Sequence, residues 1–313
     1  MAKYNKLAGK HIVIIGGTRG IGYGIAEACI ESGARVVTIA GSSQQSADKA
    51  VSSLKSSYPP SSSSSSPTIL GLGCDLSKAT VERDLDALLT KAATESGEID
   101  HIVFTAADHL TLGGLQDLTV DVALKAAHMR MLAPLMLGKV AQRHLAGAEK
   151  GPVGQVKDKS LLMTTGSIAS KPAKGWSLIA YFAAGLISCM FGPLFSVSSS
   201  HTLSPLPPST KVELRLNPKL TSPPRFSVTR NLALDLSPIR VNVVEPGAVN
   251  TSLWDAGFKS VAEREAYLNE QYKYLPVGKP AAVEEVAEAY MYLLRDSNAT
   301  GECVTTRGGQ HLI

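Results

Sequence analysis

The residues with the clearest chemical potential stand near the amino end, in IIGGTRGIGYGIAEACI. Gly16, Gly20 and Gly22 are spaced G-x-x-x-G-x-G, directly after an apolar run and directly before a helical pattern. The first glycine permits a tight turn, and the later two let backbone N–H groups approach a pyrophosphate at the positive end of a helix. A glycine triplet alone is weak, but one set between a strand and a helix carries its own confirmation. Thr18, Arg19 and Ile21 complete the expected cofactor-binding loop. The bland alternative is a turn with no ligand. The second apolar run ends in IAGSSQQ, where a site selective for NAD would keep a carboxylate for the ribose hydroxyls. Ser42 and Ser43 stand there instead, and the guanidinium of Arg19 suits a 2′-phosphate. These residues point to NADP(H); the alternative for Arg19 is a solvated loop arginine.

Such a loop needs a sheet beneath it. Short apolar runs alternate with longer helical patterns from Lys10 onward: HIVIIGG, ARVVTIAG, TILGLGCD, HIVFTAA, SLLMTTGS, IRVNVVEPG and GECVTT. Strands hydrophobic throughout are buried on both faces, as in parallel sheets with helices above and below. Repeated βαβ units predict one domain, a doubly wound parallel sheet of the Rossmann type.

Two stretches break the rhythm. Residues 52–67, SSLKSSYPPSSSSSSP, are expected to form a disordered surface loop, because Ser and Pro cannot bury enough apolar area to offset ordering entropy. Residues 190–227 are rich in proline and serine and interrupt what should be one helix. Without them YFAAGLISC runs straight into VTRNLALDLSPIRVNVV. A true insertion, an exposed flap and an unspliced intron are the three readings; composition favours the intron.

The chain of 313 residues is 44% hydrophobic and 19% charged, with a formal net charge of +4. That surplus is too small to suggest nucleic acid. Cys29, Cys74, Cys189 and Cys303 form no CxxC, so buried thiols in a reducing compartment are expected. The seven histidines show no HxxxH or HExxH spacing, and no metal site is expected. No apolar run reaches the roughly 18 residues of a membrane span. MAKYNKLAGKH lacks an apolar h-region, so a cytoplasmic protein with no membrane partner is expected.

GGTRGIG, CDL at 74–76, FTAAD at 104–108, TTGSIAS at 164–170, SPIRVNVVEPGAVNT at 237–251 and TGECVTTRGG at 300–309 together resemble the short-chain dehydrogenase/reductase family. The resemblance covers nearly everything from Lys10 onward except the two low-complexity stretches. GWS at 175–177, FTAAD and RNLALDLSPIRVN are similar to a divergent branch found in fungal secondary-metabolite clusters. It implies Asp75 beside the adenine, Val249 and Thr251 beside the nicotinamide amide, Ser167 as the catalytic serine and Tyr181 as the catalytic tyrosine. It also implies a homodimer, since the helix that begins at the tyrosine commonly packs against its twin.

The departures from the family pattern are concrete. The family's asparagine position holds Arg130, and the spacing from Ser167 puts the tyrosine position at Ala180, one residue before Tyr181. Four residues after Tyr181, where the family keeps a lysine, stands Gly185. A free tyrosine has a pKa near 10, and a neighbouring cation is needed to make it a ready acid near neutral pH. Arg130 could replace part of that charge by holding cofactor, but arginine does not relay protons. Lys171 and Lys174 precede the tyrosine. The alternative reading has Tyr181 and Phe182 simply packing a helix on the sheet.

Between Thr251 and Pro280 the chain is rich in Trp, Phe and Tyr and reads as a helical lid over an apolar substrate pocket, with Trp176 beside it. The leading expectation is an NADPH-dependent oxidoreductase acting on a carbonyl or imine of a small apolar biosynthetic intermediate. Two alternatives stay open: a redox-neutral cyclase or isomerase on the same fold, and a non-catalytic dinucleotide-sensing protein.

Overall fold

The computed structural model describes residues 3–59, 67–108, 115–146, 157–187 and 227–313. Seven strands form one parallel sheet: β1 (His11–Ile15), β2 (Val36–Gly41), β3 (Thr68–Gly73), β4 (His101–Phe104), β5 (Ser160–Thr164), β6 (Arg240–Pro246) and β7 (Cys303–Thr306). Their order is β3-β2-β1-β4-β5-β6-β7. Every pairing is parallel, from Ile12↔Val37 between β1 and β2 to Val244↔Val304 between β6 and β7. Parallel neighbours require long crossovers, and helices supply them on both faces.

The helices are α1 (Gly20–Glu31), α2 (Gln44–Ser57), α3 (Val81–Ser96), α4 (Val120–Ala127), α5 (Ala133–His144), α6 (Ser177–Ile187), α7 (Ser227–Asp235), α8 (Val261–Tyr272) and α9 (Val283–Arg295). Successive side chains of a strand point to opposite faces, so each strand feeds two cores. Val13 and Ile15 join Leu85, Leu137 and Leu232 on one face; Ile12 and Ile14 join Ile25, Leu54 and Val286 on the other. The apolar runs are uninterrupted because both faces are covered, as the sequence predicts.

Strand order reverses between β1 and β4, which opens a crevice at the carboxyl ends of the strands. The opposite end of the sheet is closed by buried polar groups. His101 Nδ1 lies 2.8 Å from Ser160 Oγ, and His11 Nε2 lies 2.9 Å from Thr38 Oγ1. Arg240 is held by Asp158 at 2.7 Å, and Lys159 by Glu98 at 2.8 Å. Burial lowers the pKa of His11 and carries that of His101 down to about 3.

The first low-complexity stretch is shorter than expected. Residues 52–57 belong to α2, where Ser52 and Ser56 turn their hydroxyls back onto the carbonyls of Asp48 and Ser52. The remainder of that loop between 60 and 66 lies outside the described residues, as do residues 188–226 of the second stretch. Cys189 falls among the latter; Cys29, Cys74 and Cys303 are free thiols. α6 and α7, which flank the second stretch, pack against each other. Among the described residues no helix is long and apolar enough to cross a membrane.

Candidate functional site

The glycine loop joins β1 to α1 and is built by close backbone approach. Gly16 has φ +94°, and a Cβ there would lie 2.5 Å from Ala106 N; a Cβ on Gly22 would lie 2.3 Å from the Gly16 carbonyl. Only glycine lets the turn seat against the end of β4. Arg19 caps α1 in extended conformation without a side-chain cap bond, so the first amides of the helix face the crevice. These features fit a dinucleotide pyrophosphate.

A groove of about 670 Å³ runs from this loop. Gly16, Thr18, Arg19, Gly20, Ile21 and Gly22 line it, with Ser42, Asp75 and Thr251 further along. Asp75 Oδ1 accepts from Ser77 Oγ at 2.7 Å and Ser77 N at 3.0 Å, and these bonds hold its pKa below the usual value. Ser43 is a correction. Its hydroxyl accepts from Ser46 N at 3.2 Å as the N-cap of α2, and it does not line the groove. Ser46 and Lys49, one turn further into α2, line it instead.

A second cavity of about 410 Å³ adjoins the groove; Ile21, Thr105, Met129, Thr251 and Leu253 border both. Ser167 borders this cavity from the 3-10 turn Ser167–Ala169 that follows β5. Val249 and Arg130 also border it. Arg130 lies on a π-helical turn, His128–Leu132, between α4 and α5. Such a turn inserts a residue and re-aims a side chain. Its Nη2 forms an ion pair 2.6 Å from Asp108 Oδ1 while donating to the Asp108 carbonyl at 3.0 Å. Burial lowers the Arg130 pKa and Asp108 opposes that shift. Arg130 Nε is buried with no partner among the described residues. Arg130 thus borders the substrate-side cavity, not the phosphate groove.

Tyr181 is the second correction. α6 presents Ile179, Phe182 and Ala183 to the cavity, whereas Tyr181 is 71% exposed and does not border it. Each helical residue turns the side chain by about 100°, so Tyr181 points some 200° away from Ile179. Its ring packs edge-on against Phe182, 5.1 Å between centroids. Tyr181 and Ser167 are therefore not brought together. Gly185 is exposed too, on the same outer side, and a Cβ there would meet nothing within 4 Å. Of the two neighbouring lysines, Lys174 is exposed and off the cavity. Lys171 borders it, but its ammonium donates to the carbonyls of Gln310 and Ile313, both at 2.7 Å.

The Ser167 turn rests on a partly buried network centred on Glu245. Ser170 Oγ donates to Glu245 Oε1 at 2.5 Å and also meets Arg307, which pairs with Glu245 at 2.8 Å. Glu245 is buried on β6, immediately before the Pro-Gly of the sixth strand. The opposite wall is aromatic. Trp176 and Trp254 meet edge to face at 5.9 Å, and Trp254 Nε1 donates to the Val249 carbonyl at 3.1 Å. Tyr272, from the last turn of α8, borders the cavity, with its pKa raised by burial and by Tyr267 and Tyr274. The lid is thus helical and aromatic: a 3-10 segment, Ser252–Gly257, followed by α8. Arg264 of α8 pairs with Asp255 and ties the two together.

A parallel sheet in this strand order, with a glycine-bounded dinucleotide groove opening into a chamber beside a serine turn, defines a pyridine-nucleotide type of oxidoreductase fold. A family profile described as an SDR-like Rossmann domain matches residues 3–200 and 221–313, and the chain belongs to that family. The unmatched residues 201–220 fall within the second low-complexity stretch. The short-chain dehydrogenase/reductase fsr5 of Gibberella fujikuroi is 31% identical over 311 residues, 99% of this chain and 97% of its own. The short-chain dehydrogenase/reductase malC of Malbranchea aurantiaca is 34% identical over 308 residues, 98% of this chain and 96% of its own. The solved structure of the MalC reductase/Diels–Alderase superposes with a TM-score of 0.75 at 33% identity, covering 99% of each chain.

Proposed function

We propose that this protein is an NADPH-dependent reductase of a small, apolar biosynthetic intermediate, and that its acceptor is an imine more readily than a ketone. The observation that carries this reading is a groove continuous with an aromatic chamber that Ser167 borders while Tyr181 and Gly185 face outward. A bound nicotinamide would supply the hydride. The glycine loop and the first amides of α1 bind the pyrophosphate; Thr251 borders both cavities and Val249 the chamber. Ser167 Oγ would accept a hydrogen bond from the N–H of a protonated imine, or donate one to a carbonyl oxygen. Trp176, Trp254 and Tyr272 exclude water and hold an apolar ring system.

A ketone needs a proton as the hydride arrives, and Tyr181 is turned away from delivering one. A protonated imine brings its own proton and its own positive charge to the carbon. An aromatic chamber also tolerates such a cation. The test is NADPH oxidation followed at 340 nm with matched cyclic imines and ketones. Faster turnover of imines supports the reading, and equal turnover of ketones removes the preference.

A second reading is a redox-neutral cyclase. It is favoured by one observation, the reductase/Diels–Alderase description of a relative 33% identical over 99% of each chain. Conversion of substrate with no change in NADPH absorbance would select it. A dinucleotide sensor would bind NADPH and convert nothing. For assembly we propose a homodimer through the exposed apolar side chains Leu124, Met131 and Leu135, beside Tyr181 on α6. Native mass measurement tests it, with a monomer at all concentrations as the contrary result.

A further inference from the structure

We infer that Lys49, on α2, is the second cation of a clamp that holds the ribose 2′-phosphate from the side opposite Arg19. This rests on the NADP(H) reading and adds to it a residue that the end of the second strand does not contain.

Charge in the groove is unevenly paired. Four charged side chains line the groove: Arg19, Lys49, Asp75 and Asp108. The two acids are each engaged elsewhere. Asp108 pairs with Arg130 at 2.6 Å, and Asp75 accepts from Ser77 and has Lys78 at 3.7 Å. Neither Arg19 nor Lys49 forms an ion pair among the described residues. Two unmatched cations thus face one groove, and a doubly charged anion is the ligand that offsets them.

The geometry agrees. Ser46, Lys49, Ala50 and Ser53 recur at i, i+3, i+4 and i+7 and present one face of α2 to the groove. Helical side chains lean toward the amino end, so the Lys49 stem runs back toward Ser42 and the end of β2. That end is packed tightly on α2, since a Cβ on Gly41 would lie 2.6 Å from Ser46 Oγ and 2.6 Å from Thr18 Cγ2. Thr18 and Ser46 thus flank Gly41 at the end of β2, in the groove that Arg19 and Lys49 both line. The amino end of α2 adds a favourable field for an anion. Ser46 Oγ already donates to the Ser43 carbonyl at 2.8 Å, which leaves Ser42 as the hydroxyl donor beside the groove at the end of β2.

The experiment is calorimetric titration of the full chain with NADPH, NADH, 2′,5′-ADP and 5′-ADP. The wild-type protein is expected to prefer NADPH over NADH and 2′,5′-ADP over 5′-ADP. Lys49→Ala should weaken the two phosphate-bearing ligands by about 5- to 20-fold and leave the other two within about twofold, the loss of one charge-assisted contact. Lys49→Arg should retain the preference. Lys49 is exposed, so unchanged melting serves as the folding control. If the wild type prefers the 2′-phosphate and Lys49→Ala keeps that preference in full, the clamp is wrong and the NADP(H) reading stands. If the wild type binds 5′-ADP as tightly as 2′,5′-ADP, both fall.

Discussion

Acid should destabilise this fold well above the range in which carboxylates titrate, and His101 is the reason. The ring is fully buried on β4 beside Ser160. Burial is the main cause of its depressed pKa, Arg240 adds to it, and Asp100 opposes it. The folded chain takes up a proton only near pH 3, whereas the unfolded chain does so near 6.5. Between those values the unfolded state binds more protons, so stability is fully present above 6.5 and falls as pH falls. At 1.36 kcal/mol per pH unit, lowering pH from 7.5 to 5 costs about 2 kcal/mol from His101 alone. That figure holds for any folded pKa below about 4.5. His11, also lowered by burial, adds in the same direction. Urea unfolding at pH 7.5, 6 and 5 measures it. His101→Asn, whatever its overall stability, should flatten the pH dependence by about 2 kcal/mol over this range. Equal slopes in the variant and the wild type would refute the reasoning.

Gly22→Ala places a Cβ 2.3 Å from the Gly16 carbonyl and 2.5 Å from Thr105 Oγ1, so the loop must shift. NADPH affinity, followed by fluorescence, should fall by about tenfold or more. Trp176→Ala removes the edge-to-face partner of Trp254 and a wall of the chamber, and KM should rise by about tenfold while the NADPH Kd stays put. Arg130→Ala strips Asp108 of its cation. Because Asp108 is partly exposed, the cost in urea unfolding should be about 1–2 kcal/mol, below that of a fully buried pair. Transcript sequencing across residues 190–227 should reveal a form lacking them; a single full-length transcript would contradict the intron reading.

The sheet was legible because each strand is a run of β-branched and aliphatic residues with one meaning, burial on both faces. The glycine loop was legible for a similar reason: its steric demands admit few other residues. Ser43 was misread because a hydroxyl at a strand end and a hydroxyl at a helix start look alike in sequence. In the structure the Ser43 oxygen accepts the capping bond from Ser46 N and lies off the groove lining. Lys49 was missed because it acts from a helix face, and only the packing of α2 against β2 brings it to the groove. Tyr181 shows how sharp the limit is. A displacement of one residue is trivial in a string and about 100° on a helix. Asp108, Glu245 and Arg307 were invisible as a class, since their partners lie 22 to 137 residues away in the chain.

Hydride transfer to an acceptor that needs no tyrosine acid is tested most directly by single-turnover oxidation of NADPH with the wild type and Tyr181→Phe. With a cyclic imine, absorbance at 340 nm should fall stoichiometrically at rates that agree within about twofold, because the exposed Tyr181 hydroxyl contributes less than the roughly 1 kcal/mol of a neutral hydrogen bond. A loss of about a thousandfold in Tyr181→Phe, or complete conversion of substrate at constant absorbance, would contradict it.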